Sequence, residues 1–294
     1  MALDKVIDSA QLDADLTAVA DAIRTKGGTT GELEFPSGFV SAVEGIQAGG
    51  GGVSEQDALE LLATGDWPSG DIVVNGETIG DFALNGKQVT SVFAPNALSI
   101  GKRSFADCAT LTVVDCPSAL TLRSGASYTF QNCPELTTVN LPEVTKAGNK
   151  MFIDLAKLKH IYLPKLQSVD GDQFIENTAV EELRLIGMTG RLNQKAIRYN
   201  EKLTFVDLGH CTSVGSQALR GCTVLSAVVL RNTAVASLAG IDAFQSTPFA
   251  SGGTVGTVYV PSVLISEYQQ ATNWSTLYAA GTCNFVAIEG SEYE

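Results

Sequence analysis

The chain has 294 residues, 45% hydrophobic and 17% charged, enough to bury a core and too apolar for intrinsic disorder or a collagen-like fibre. Its net charge of −13 is uneven: residues 1–80 hold 14 Asp and Glu against 3 Lys and Arg, residues 81–294 hold 18 against 16. Such acidity repels phosphate backbones and anionic lipid, so no nucleic-acid partner and no membrane insertion is expected. No apolar run approaches the roughly 18 residues of a membrane span.

The N-terminal MALDKVIDSAQLDADL lacks a basic segment followed by an apolar run, so no signal peptide is expected. Residues 10–26 place Leu12, Leu16, Val19, Ala20 and Ile23 on one helical stripe that ends at Gly27-Gly28. A second helix starts at Pro36-Ser37, carries Phe39, Val40, Val43 and Ile46, and stops in a glycine run at 49–52. Two helices of this size cannot form a sufficient core alone, so residues 1–48 read as an attachment or oligomerisation module and 49–54 as a linker. Residues 55–82 read as an N-terminal cap: a short helix, then DIVVNGETIGDF as a hairpin turning at Asn75-Gly76.

From residue 83 a repeat dominates. Aligned on an apolar anchor, units begin at Phe105, Phe130, Phe152, Phe174, Ile197 and Leu219, spaced 22 to 25 residues apart. Apolar or small residues fall at anchor +3, +6, +9 and +11, as in Cys133, Leu136, Val139 and Leu141. The last two belong to a strand, often closed by Pro at +12 (Pro117, Pro142, Pro164), which lacks the N–H a continuing ladder needs. A degenerate unit precedes these, from Ala83 through Val92 to Pro95, and a last one starts at Phe244 and reaches TVYVP at 257–261. The expected solenoid spans 83–261, its strands stacked about 4.8 Å apart in a continuous curved sheet. Positions +9 and +11 should face inward and +8 and +10 solvent. Cys108, Cys133, Asn177, Asn200 and Cys222 form the +3 column, where a small residue packs or bonds into the turn.

This pattern resembles the BspA-like leucine-rich repeat family of bacterial and phage proteins. The resemblance implies an α/β repeat solenoid preceded by a small helical module, with TVYVPSVLISEYQQATNWSTLY at 257–278 as the start of a C-terminal cap over 262–294. There Tyr268, Trp274 and Leu277 would cover the end of the core, and Phe285 to Ile288 would add a closing strand. The DAIR-x-K and FPSGFVSAVEGI segments resemble a short module of phage tail and baseplate proteins, which implies carriage on a virion.

Enzyme signatures are absent: there is no G-x-S-x-G, no G-x-G-x-x-G, and Gly80 to Lys87 does not fit a phosphate loop. His160 and His210 are the two histidines, too few for a histidine-based metal centre or triad. Asp170-Gly171-Asp172 with Glu176 lacks the ligand spacing of a calcium loop and reads as a polar turn. The six cysteines show no C-x-x-C spacing and read as reduced, buried thiols. No metal and no cofactor is expected.

The solvent face of the sheet is the candidate site. His160, Tyr162, Glu182, Arg184, Phe205 and Asp207 bring aromatic and charged side chains onto adjacent strands, a mixture enriched at recognition hot spots; a solvated face with Glu182 or Asp207 paired to Arg184 is the plainer alternative. The expected protein is a non-enzymatic, phage tail-associated binder of a bacterial cell-surface protein or glycan. It would be made in the host cytoplasm, join other tail proteins through residues 1–48 and possess the capacity to form a homo-oligomer. A structural tail component or a bacterial surface adhesin are the other readings.

Overall fold

The computed structural model describes residues 70–122, 128–169, 171–250 and 255–294. The two helices expected within 1–48, the linker at 49–54 and the helix expected after residue 53 lie outside them. Among the described residues the fold is a parallel-stranded repeat solenoid, the architecture the repeat spacing predicts.

The front of the solenoid carries two five-stranded sheets. One holds β1 (Gly70–Val73), β3 (Val89–Phe93), β5 (Val113–Asp115), β7 (Thr138–Asn140) and β10 (His160–Tyr162); the other holds β13 (Glu182–Arg184), β15 (Phe205–Asp207), β17 (Ala227–Val229), β19 (Gly256–Val260) and β20 (Cys283–Ala287). Along a second side run two-residue strands β2 (Thr78–Ile79), β4 (Ser99–Ile100), β6 (Thr121–Leu122), β8 (Lys146–Ala147) and β11 (Ser168–Val169), then β14 (Arg191–Leu192), β16 (Ser213–Val214) and β18 (Ser237–Leu238). At the anchor turn, β9 (Phe152–Leu155) pairs with β12 (Ile175–Thr178). All strand pairs among the described residues are parallel, and up to β19 each strand bonds its counterpart one turn away rather than its sequence neighbour.

Inward columns fill the space between these sides. Val114, Val139, Leu183, Val206 and Val228 at the strand centres and Cys116, Leu141, Leu163, Leu185, Leu208 and Leu230 two residues on are buried. The anchor rings stack through the core, Phe105 on Phe130 and Phe130 on Phe152 at 5.3 Å each, and the buried Phe174 ring meets Phe152 edge-on at 5.5 Å.

The anchor turns hold residues in the left-handed region two positions before and two after the anchor: Arg103 and Asp107, Tyr128 and Asn132, Lys150 and Asp154, Gln173 and Asn177, Lys195 and Tyr199. The second position is mostly Asp, Asn or Gly because their local bonding or missing Cβ tolerates that backbone. At Gly221 the need is double: φ is +76°, and a Cβ there would collide with the Tyr199 ring.

The structure corrects three local expectations. DIVVNGETIGDF is not a hairpin: β1 pairs with β3 and β2 with β4, so Asn75-Gly76 is the corner between two sides of the first turn. This turn already belongs to the solenoid, ahead of residue 83. In the fourth unit Ile175, not Phe174, is the anchor, because Ile175 pairs with Phe152 and Thr178 with Leu155. Thr178 therefore occupies the +3 column, while Asn177 is exposed and donates to Asp154 at 2.9 Å.

The front sheet is also not continuous, for β10 and β13 do not pair. Eight residues lead from Ile175 to the strand centre Leu183, where nine lead from Phe152 to Ile161 and from Ile197 to Val206. The missing residue returns after the strand: seven lead from Leu185 to Leu192, against six from Leu163 to Val169 and from Leu208 to Val214. β13 is thus displaced by one residue within a unit of ordinary length. A displacement of about 3.3 Å along the strand puts its ladder out of step with β10, while β13 keeps its register with β15. On the second side the turns stay bonded there: Thr189 and Gly190 N–H donate to the Gln167 carbonyl at 3.2 and 3.1 Å.

The C-terminal end is closed by β20 and by helices α1 (Ile265–Gln270) and α2 (Trp274–Ala279). Tyr268 and Trp274 are fully buried there. The Trp274 Nε1–H donates to the Ala236 carbonyl at 2.7 Å, the Tyr268 hydroxyl accepts from Ala236 N–H at 2.9 Å, and Asn273 Nδ2 donates to the Leu238 carbonyl at 2.7 Å. The cap thereby satisfies backbone groups that a further turn would otherwise take up.

Leu141→Ala and Leu163→Ala should each lower stability by about 2 to 5 kcal/mol, read as urea-unfolding midpoints. Gly221→Ala should lower it as well, despite adding a single methyl group; an unchanged midpoint would contradict the close approach to Tyr199.

Candidate functional site

The gap between β10 and β13 is a notch of about 360 Å³ lined by Lys159, His160, Ile161, Tyr162, Pro164, Glu182, Arg184 and Ile186. A space of about 450 Å³ adjoins it, lined by Lys159, His160, Glu181 and Glu182. Ile161 at the notch is only partly buried, where the strand centres Val139 and Val206 are fully buried. Tyr162 is 57% and Ile186 47% exposed on the walls.

Four of the six sequence-predicted residues, His160, Tyr162, Glu182 and Arg184, meet at this notch. Arg184 Nη2 lies 3.0 Å from Glu182 Oε2 on the same strand, both side chains more than half exposed, a geometry worth at most about 1 kcal/mol and easily re-paired with a ligand. The Arg184 guanidinium also sits 4.6 Å from the centre of the Phe205 ring, which orients it across the face. The notch is mixed in charge, with Lys159, His160 and Arg184 facing Glu181 and Glu182.

Phe205 and Asp207 are a correction. Both occupy outward positions of β15, yet Phe205 is 4% and Asp207 0% exposed. Two segments cover them: Tyr293 stacks on Phe205 at 4.7 Å, and Arg231, just after β17, reaches Asp207 Oδ2 at 2.9 Å. Asp207 therefore pairs with Arg231 and not with Arg184; its other oxygen accepts from Gly209 N–H at 2.9 Å. The sequence reading also missed Lys159, Pro164 and Ile186 in the notch wall. Ile186 had a signal, since it stands where Pro117, Pro142 and Pro164 close other units.

The remaining polar candidates are engaged in the turns. Glu176 accepts from Arg198 Nε at 2.9 Å, both about one-sixth exposed, and Asp172 accepts from Gln194 at 2.6 Å; Asp170 lies outside the described residues. Among the described residues no group of three or more His, Cys, Asp or Glu is placed to hold a metal ion, and no helix is long and apolar enough to cross a membrane.

The +3 column ties adjacent turns together. The thiols of Cys108, Cys133 and Cys222 donate to the carbonyls of Leu84, Phe105 and Ile197 at 3.0, 2.9 and 3.0 Å. Asn200 does the same for Ile175 at 3.2 Å, and its Oδ1 accepts from the Thr178 hydroxyl and N–H at 2.8 and 3.0 Å. All six cysteines are free and buried. Burial pushes the Cys222 and Cys283 thiols from 9.0 up to about 12, which keeps both protonated and weakly reactive at neutral pH.

Because these two thiols stay protonated in the fold, their contribution is complete below pH 9 and is lost as pH rises from 9 toward 12. Iodoacetamide at pH 8 should leave Cys222 and Cys283 unmodified in native protein and modify both in urea, read by peptide mass spectrometry. Labelling of either in the native state would contradict their burial.

Residues 77–204 match the BspA type leucine-rich repeat region in six copies. Among solved structures, the chain is similar to a leucine-rich repeat protein from Bacteroides ovatus ATCC 8483, at 17% identity and a TM-score of 0.33 over 74% of this chain and 69% of that one. It is also similar to a leucine rich cell surface protein from Faecalibacterium prausnitzii A2-165, at 15% identity and a TM-score of 0.27 over 77% of this chain and 84% of that one. Comparison with curated proteins found no match.

Proposed function

With residues 77–204 as a BspA-type leucine-rich repeat region, we propose that this chain is a non-enzymatic recognition protein whose front-face notch binds a protein or glycan of a bacterial cell surface. The observation that carries the reading is the notch itself. A one-residue displacement of β13 interrupts the front sheet where Tyr162, His160, Arg184 and Ile186 are presented, so the opening coincides with the aromatic and charged side chains suited to an anchor. Its volume falls at the lower end of the range for ligand pockets, and its exposed ion pair exchanges partners at small cost.

In this reading residues 1–48 join the solenoid to other phage tail proteins, and the virion carries it to the host after synthesis in the cytoplasm. Display on a bacterial surface as an adhesin would use the same face.

Fluorescently labelled protein should bind intact Gram-positive gut bacteria strain-selectively, and a His160→Ala, Tyr162→Ala, Arg184→Ala triple variant should lose at least about 90% of that signal while melting normally, a loss of about 1.4 kcal/mol or more in binding free energy. Equal binding by the variant would remove the notch from recognition. Absence of binding to every strain by a multimerised wild type would favour a structural tail component.

A further inference from the structure

A second apolar cluster, separate from the core between the sheets, lies on the outer face of β15 and β17. It joins Phe205, Ala227, Val229 and Ile288, with Tyr259 and Tyr293 packed against it. In the first front sheet the corresponding outward positions are mixed, with Asp115, Thr138, Asn140 and His160 among Phe93, Val113 and Tyr162; on β15 and β17 three of the four are Phe, Ala and Val, in register across two strands. Such a patch on a sheet's solvent face is a place for something to sit.

What sits there is the chain's own segment Ile288–Glu294. The Tyr293 ring stacks on Phe205 at 4.7 Å and meets Tyr259 edge-on at 4.6 Å. Its carbonyl accepts from Arg231 Nη2 at 2.6 Å. Arg231 is itself held by the buried Asp207 carboxylate, with Nε and Nη2 at 3.0 and 2.9 Å from Oδ2. The seat thus has an aromatic slot and a fixed cationic donor beside it. The segment bends over the seat by a local turn: Ser291 N–H and Oγ donate to the Ile288 carbonyl at 2.9 and 2.6 Å, and Gly290 N–H donates to the Glu294 carboxylate at 2.9 Å. One ring, one carbonyl, the Glu289 carboxylate accepting from Ser262 N–H at 2.9 Å and a short turn hold the strap, few contacts for a segment that must stay in place, while the strands beneath pair without it.

We propose that this seat is a peptide-binding site occupied in cis: Glu289–Glu294 is an internal ligand, and the partner that displaces it is a protein segment carrying an aromatic residue among acidic ones. The strap states that chemistry directly, with Tyr293 between Glu292 and Glu294 and Glu289 upstream. The seat adjoins the notch, since Arg184 lies 4.6 Å from the Phe205 ring, but it is argued from its own contacts and does not depend on the cell-binding reading.

The test uses a fluorescein-labelled synthetic peptide Glu-Gly-Ser-Glu-Tyr-Glu and the full chain as wild type, Tyr293→Ala and Ser291→Pro. The first substitution empties the aromatic slot; the second removes an N–H from the strap's turn and leaves every seat residue in place. By fluorescence anisotropy both variants should bind the peptide at least about tenfold tighter than wild type, because the cis segment lowers the fraction of open seats. A peptide with Ala for Tyr should bind none of the three. The proposal is overturned if both variants melt normally and bind no more tightly than wild type, or if the Ala peptide binds equally well. Concentration-dependent dimerisation of the wild type, absent in both variants, would overturn it in favour of a second copy's strap as the occupant. Binding to cells plays no part in this readout, so the seat and the notch stand or fall apart from each other.

Discussion

A single unit of this solenoid cannot satisfy itself. Its inward side chains and the backbone groups of its strands find partners in the units before and after it, as in Val139, paired on one side with Val114 and on the other with Ile161. Stacking is therefore the interaction on which all else depends, and its currency is register. The +3 column reinforces it from inside: thiols and Asn200 reach back to the anchor carbonyl of the preceding unit. The two left-handed residues of each anchor turn let the chain change direction without lengthening the unit.

Register also explains where the solenoid opens. The fourth unit loses one residue before its strand and regains it afterwards, so its anchor pairs with the unit before it while its front strand pairs only with the unit after it. The cost of the unpaired edge is met at the surface, where water reaches the freed backbone groups. The notch is a consequence of that compromise, and the exposed side chains around it acquire walls and a floor.

The inward columns were legible because period-2 burial and anchor spacing leave a strong trace, from Cys108 to Leu230. The displaced strand was harder to read: Phe174 and Ile175 are adjacent and both apolar, and a compensated shift leaves repeat length unchanged. Asn75-Gly76 is a local hairpin signal, overridden by pairing to strands a full turn away. Burial of Phe205 left no trace in the repeat, because its cover comes from Tyr293, outside the periodic part of the chain; Asp207 is held by Arg231 from within it. Long-range cover of this kind is invisible to periodicity.

The central claim, that a one-residue displacement holds the front sheet open, is tested by inserting one alanine between Ala179 and Val180 and deleting Thr189, which restores the ordinary spacing on both sides of β13. Amide hydrogen exchange at Leu163 and Arg184 is the measurement, because Leu185 N–H donates to the Asp207 carbonyl on the β15 side and the alternate amides of β13 therefore face β10. Pairing of β10 with β13 in the variant should slow exchange at these amides by at least about tenfold relative to wild type, an added opening free energy of about 1.4 kcal/mol. Unchanged exchange in a variant that melts like wild type would show that spacing does not hold the notch open.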